Sequence, residues 1–387
     1  MRKKLALLLA AGIMCCVGTI PVASVADEVA VAGKSSVSEL IDDLDSSAHG
    51  GVFYDGNGVL HILATDQELL LKSRRLQNAF RNREMEIVIE EAEHSLDELE
   101  SAQEQLLEHQ DELEIIAVGL YEPENALSVY TSDISDENKA AIASVAGMKN
   151  IRYKESSGFV ASPANGDFEE MNGESPENSN IVGRADVIRP GQWVYMSRIG
   201  SNWSTLMVPC VRDYQESTQQ TGFLTVGHGW IAGDSASVGG KAMGTVKNVW
   251  RGTYTDASFI PSNRSQSLTT ASGKLIKYTG KPVSGNRVYM IGANGEKAAK
   301  ILDTNVTFTM GARTTPPKYS QHTTYKCFTY SVPSIAGDSG GAMISPSSSD
   351  YEINGYNIGY FSDTQEGAAC NWFSLADAYN ILPAQIQ

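Results

Sequence analysis

Cysteine is scarce in this chain, five among 387 residues, and no two stand in Cys-x-x-Cys spacing. That argues against a zinc site or a dithiol redox motif. Histidine is almost as rare, six in all, and beyond residue 181 only His228 and His322 occur. Any chemistry there that needs an imidazole base has two candidates. After Val17 no run is apolar or long enough to span a bilayer, which takes about 20 residues. The string "GANGEK" at 292–297 lacks the Gly-x-x-x-x-Gly-Lys-[Ser/Thr] spacing and the following helix of a phosphate loop. Basic residues form no patch interleaved with aromatics, so nucleic-acid binding is not expected.

What is present divides sharply. The N-terminus reads Met1-Arg-Lys-Lys4, then an apolar run from Leu5 to Val17, then small residues to Ala26. This is the pattern of a secretory signal, residues 1–26, which would remove Cys15 and Cys16 and leave an exported, extracellular protein with no membrane attachment. Residues 181–387 hold 17 Lys and Arg against 13 Asp and Glu, a balance of +4. The first 180 hold 13 against 33, a balance of −20. Two parts of opposite charge in one chain are suited to docking on each other.

The acidic part, 27–160, reads as a small α+β unit. Two short apolar runs flank Asp55-Gly-Asn-Gly58, a hairpin signal. Apolar residues at steps of three and four from Met85 to Leu106 predict one long amphipathic helix over 84–113. Strand, helix, strand follow at Leu127–Thr131, Glu137–Ala146 and Ile151–Lys154. Residues 161–180 lack periodicity and are rich in Gly, Pro, Asn, Ser and Glu, as a flexible, cleavable linker would be. From Ile181 the texture becomes short strands between Gly, Asn and Ser turns, with a helix only at Ser374–Leu382. That predicts an all-β fold, and 181–387 is long enough for two small barrels.

Three short strings carry chemistry. "SIAGDSGGAM" sets Ser339 among glycines, "TVGHG" ends an apolar run on His228, and "TDASFI" places Asp256 ahead of another. A serine hydroxyl attacks only if a base takes its proton, and a buried carboxylate fixes that base's tautomer. Glycines around Ser339 allow a tight turn able to aim successive amides at one oxyanion. The order His228, Asp256, Ser339, inside an exported all-β unit, resembles the chymotrypsin-like serine proteases, above all their bacterial secreted branch of alpha-lytic protease and the streptogrisins. "GNRVYMIGANGEKAAKILDTNVTF" resembles that branch's second-barrel hairpin, and "IGYFSD" its substrate-binding strand.

The resemblance implies a trypsin-like two-barrel endopeptidase at 181–387 with Ser339 as nucleophile, His228 as acid and base, and Asp256 orienting it. Gly337 and Ser339 N–H would form the oxyanion hole, and Pro333, Ser334 and Ser362 would line the substrate pocket. Pro333 stands where a trypsin-like pocket has aspartate, so no strict preference for Lys or Arg is expected. The acidic unit resembles the pro-region such enzymes carry, binding the protease in cis, assisting its folding and inhibiting it. Cleavage would fall between Phe168 and Ile181. Gly229 replaces the cysteine that many relatives carry after the histidine, which leaves Cys210 free or buried. A Cys327–Cys370 bridge is implied by neighbouring strands. His322 reads as a surface-loop residue, and no metal or organic cofactor is implied. The other reading is a protease-fold protein that has lost catalysis and serves as a binding or surface module.

Overall fold

In the computed structural model, the described residues are 30–31, 33–34, 36–82, 85–161, 187–196, 203–252, 255–312, 320–347 and 350–385. The expected signal, most of the linker and the expected cleavage region lie outside them. No helix among the described residues is long and apolar enough to cross a membrane.

The first unit is built from two small α/β layers. His49–Tyr54 and Leu60–Ala64 form the expected hairpin, with Asp55 Oδ1 accepting from Asn57 and Val59 N–H to close its turn. The single helix expected over 84–113 is not formed. Ile87–Glu91 is a strand, parallel to Leu60–Ala64, and the helix runs only from Leu96 to Glu108. The β-branched run Ile87-Val88-Ile89 suits a pleated surface. Ser95 and Glu98 then close a capping box that starts the helix afresh. Ala126–Thr131, Asp136–Ala146 and Ile151–Glu155 follow as strand, helix and strand. Leu99, Leu106, Val118, Leu127, Val129 and Ile142 pack the helices Leu96–Glu108 and Asp136–Ala146 against the strands Ile115–Tyr121 and Ala126–Thr131.

The second unit is all-β in two barrel-like halves, with one helix among its described residues. The first half combines a six-stranded sheet, which includes Pro209–Arg212, Gln220–Val226, Asn248–Gly252 and Thr255–Pro261, with a four-stranded one. The second half runs from the hairpin Arg287–Gly292/Gly295–Lys300 through Ala342–Ser347, Asp350–Phe361, Gly367–Asn371 and His322–Tyr330 to Thr304–Met310. His322 therefore opens a strand, paired with Met310, instead of sitting in a loop. The C-terminal helix is Trp372–Tyr379, starting two residues and ending three residues earlier than expected. Asn371 caps it, and Asn380 ends it in the left-handed region. Ile381–Gln385 is then released to pair with Pro209–Arg212 as a strand.

The two units share a sheet. Ile115–Tyr121 pairs antiparallel with the edge strand Thr304–Met310, so the first unit's strands extend the second half's sheet. Behind that seam Lys154 Nζ lies 2.7 Å from Asp303 Oδ2 and 2.9 Å from Glu366 Oε2. The Tyr130 hydroxyl lies 2.5 Å from both carboxylates. A further contact comes from Phe159–Ala161, which lies antiparallel along Gly359–Phe361.

Candidate active site

The three residues picked from the sequence meet at the junction of the two halves. His228 follows the strand Gln220–Val226, and Asp256 lies at the start of the adjacent strand Thr255–Pro261. Their approach requires glycine at 227, because a Cβ there would lie 2.7 Å from Asp256 Oδ1 and 2.7 Å from Trp250 O. Gly227 N donates to Asp256 O at 2.8 Å, and the Arg251 guanidinium donates to Gly227 O at 2.9 Å. His228 Nδ1 is hydrogen-bonded to Asp256 Oδ2, and His228 Nε2 lies 3.2 Å from Ser339 Oγ. Ser339 and Asp256 are 0% exposed and His228 1%, so all three are buried.

Tyr356 holds the carboxylate residue from behind. Its hydroxyl accepts from Asp256 N at 3.1 Å and is hydrogen-bonded to Thr255 Oγ1. Asp256 Oδ1 has no hydrogen-bond partner, so the carboxylate's one side-chain bond goes to the histidine.

The turn that carries Ser339 is held by several hydrogen bonds. Gly337 and Gly340 take φ of 89° and 88°, and a Cβ at Gly340 would lie 2.3 Å from Thr205 O. Only glycine fits position 340. Thr205 Oγ1 donates to Gly337 O at 2.6 Å and accepts from Ala293 N at 2.9 Å, while Thr205 N donates to Ser339 O. Asn294 Nδ2 donates to Ala336 O, and Gly341 N donates to Asp338 O. A trans peptide sends its N–H opposite its C=O, so the Gly337 and Ser339 N–H groups turn away from those partners. Asp338 is fully buried and paired with Lys297 Nζ at 2.8 Å, with Asn294 adding a bond at 3.0 Å.

Thr205, Tyr356, Arg251 and Lys297 escape a sequence reading, since each acts across a gap of 24 to 132 residues. Lys297 lies in the string "GANGEK", in the hairpin Arg287–Gly292/Gly295–Lys300.

Of the pocket candidates, Ser334 is 2% exposed in the loop leading to Ser339, and Pro333 is half-buried beside it. Ser362 lies further along the Asp350–Phe361 strand end, where its hydroxyl lies 3.0 Å from Ser157 Oγ of the first unit. Asp363 accepts from Ser157 N and Oγ, which holds its carboxyl below the ordinary carboxylate value. Cys327 and Cys370 do face each other across paired strands, but as thiols. Their Sγ atoms stand 3.8 Å apart, against about 2.05 Å in a disulfide, so the expected bridge is not formed here. Cys210 is a buried free thiol whose pKa burial pushes up.

No family model matches the chain, and no curated protein does. Solved structures do resemble it. Nocardiopsis protease is 21% identical over 51% of this chain and 98% of its own, with a TM-score of 0.40. A serine protease specific for glutamic acid is 20% identical over 51% and 100%, with a TM-score of 0.39. The chymotrypsin of Cellulomonas bogoriensis is 17% identical over 52% and 100%, with a TM-score of 0.37. These neighbours are proteases.

Proposed function

We propose that this chain is the precursor of an exported serine endopeptidase of the chymotrypsin-like kind. The observation that carries the reading is the hydrogen-bonded relay Ser339–His228–Asp256 at the junction of two β halves. His228 Nε2 takes the Ser339 proton as Oγ attacks a peptide carbonyl. Asp256 holds the ring with Nδ1 protonated and stabilises the imidazolium that results. The tetrahedral oxyanion is met by the Gly337 and Ser339 N–H groups, a contribution worth about 10²–10³ in turnover per donor in such sites. His228 then protonates the leaving amine, and water, activated by the same ring, hydrolyses the acyl-enzyme.

The first unit acts as a pro-region. Supporting this is the strand Phe159–Ala161, which lies along Gly359–Phe361. The main chain of Asn357, two residues before that pairing, bonds both Gly340 and Gly341. A peptide bound by strand addition beside the nucleophile needs that same edge. The shared sheet at Thr304–Met310 gives the unit a second hold and suits a folding template, since non-local strand pairing is slow to form unaided. The signal at 1–26 exports the precursor, and self-cleavage between Phe168 and Ile181 separates the units.

The test compares the full chain with Ser339→Ala and His228→Ala on denatured protein substrate, after allowing self-processing. The wild type should process itself and hydrolyse the substrate, and each variant should lose on the order of 10⁴ or more in rate. Hydrolysis that survives Ser339→Ala contradicts the proposal.

A further inference from the structure

Asn357 carries a buried donor that the structure leaves unused. The residue is 0% exposed, and its Nδ2 has no hydrogen-bond partner. Its place is not incidental. Asn357 N donates to Gly341 O at 2.8 Å, and Gly340 N donates to Asn357 O at 2.9 Å, so it lies directly beside the turn that presents Ser339. The preceding residue, Tyr356, sends its hydroxyl to Thr255 and Asp256, and alternation along the strand puts the Asn357 side chain on the opposite face. There Tyr330 Oη donates to Asn357 Oδ1 at 2.7 Å. Tyr330 is itself hydrogen-bonded by Ser334, in the loop that runs into the nucleophile. The chain of bonds runs Ser334 to Tyr330 to Asn357 Oδ1, and it turns Nδ2 away from Tyr330.

A buried amide donor left unpaired is costly, and one beside a reactive turn is a candidate to be completed by a bound group. We propose that Asn357 sets the substrate class of the hydrolase proposed above by donating to the side chain that precedes the scissile bond, and that the preferred side chain is a carboxamide, glutamine or asparagine. The inference rests on the endopeptidase reading and extends it. The substrate carbonyl oxygen accepts from Asn357 Nδ2, and its NH₂ group finds an acceptor in the Ser334 hydroxyl oxygen. Charge favours the neutral amide over a carboxylate. Lys297 is already committed to the buried Asp338, and Asp363 adds negative charge further along the strand end.

The test uses the self-processed full chain and peptides that differ only at the residue before the cleaved bond: glutamine, its near-isosteres methionine and glutamate, and asparagine against leucine. Glutamine should exceed methionine in kcat/KM by about ten- to a hundredfold, the cost of leaving a buried donor unpaired. Asparagine should exceed leucine by a similar factor. In Asn357→Leu the ratio of glutamine to methionine cleavage should fall to about one or below, whatever the absolute rate of either. Equal or better cleavage of methionine by the wild type overturns the inference, whether or not the variant folds. Glutamate preferred over glutamine overturns the carboxamide assignment. Labelling by a serine-directed phosphonate separates the two levels. A chain that labels at Ser339 yet prefers methionine keeps the endopeptidase reading and loses this one. A chain that neither labels nor cleaves loses both.

Discussion

Lys154→Met, made in the Ser339→Ala background to prevent self-cleavage, should loosen the seam between the two units severely. Lys154 Nζ contacts Asp303 Oδ2 at 2.7 Å, Glu366 Oε2 at 2.9 Å and the Tyr130 hydroxyl at 2.9 Å. Asp303 is fully buried, and Lys154 and Glu366 are 12% and 17% exposed. Burial beside two carboxylates holds the Tyr130 hydroxyl protonated, since its pKa is raised well above the usual value. That one proton cannot serve both acids. Methionine fills the lysine stem's volume but leaves two carboxylates without a countercharge. Breaking a buried ion pair this way costs about 3–5 kcal/mol. With a urea slope of about 3 kcal/mol/M, the unfolding midpoint should fall by about 1–1.7 M. The triple variant Lys154→Met, Asp303→Asn, Glu366→Gln keeps the shapes without the charges and should regain more than half of the loss. A Lys154→Met midpoint within about 0.3 M of its parent, or a triple variant no better than the single one, refutes the reasoning.

Other outcomes follow from the same geometry. Glu122 is buried at the seam, with Oε1 on the Thr304 hydroxyl, and burial pushes its pKa from 4.5 up to about 8. Its protonated form therefore stabilises the docked state fully below pH 4.5, and that stability is lost as pH rises through 8. Glu122→Gln should flatten the fall in urea midpoint between pH 5 and 9, and an unchanged fall counts against this. Gly340→Ala forces a Cβ to 2.3 Å from Thr205 O at a φ of 88°, so soluble protein should lose nearly all hydrolysis. Activity within about tenfold of wild type would place the turn's role elsewhere. Unfolded without reductant, the chain should expose Cys210, Cys327 and Cys370 to alkylation, and a mass showing only one modified thiol among these three would restore the Cys327–Cys370 bridge.

The site was legible in the sequence to the extent that its signals are local. "GDSGG", "GHG" and "TDA" each report a turn or strand end that short-range sterics dictate, and the fold brings them together. Thr205, Tyr356 and Lys297 have no such local mark, because their roles exist only once the two halves are packed. Apolar spacing misled at 84–113 because Met85, Val88 and Ala92 extend the steps of three and four set by Leu96, Leu99, Ala102 and Leu106, although Ile87–Glu91 is a strand. Parallel pairing with Leu60–Ala64 decides for the strand. At the C-terminus the left-handed Asn380 stops the helix, and Ile381–Gln385 gains a partner in Pro209–Arg212 that no local pattern announces. The shared sheet is of the same kind: Thr304–Met310 reads as a strand, but its neighbour Ile115–Tyr121 lies some 190 residues away.

The central claim is that Ser339 is a nucleophile activated by His228, and chemical labelling tests it most directly. A serine-directed phosphonate applied to the self-processed full chain should add one adduct, mapped by mass spectrometry to the peptide carrying Ser339. The adduct should be absent in Ser339→Ala and slowed by orders of magnitude in His228→Ala. An adduct on another serine, or no adduct on a chain that still hydrolyses protein, would contradict the account.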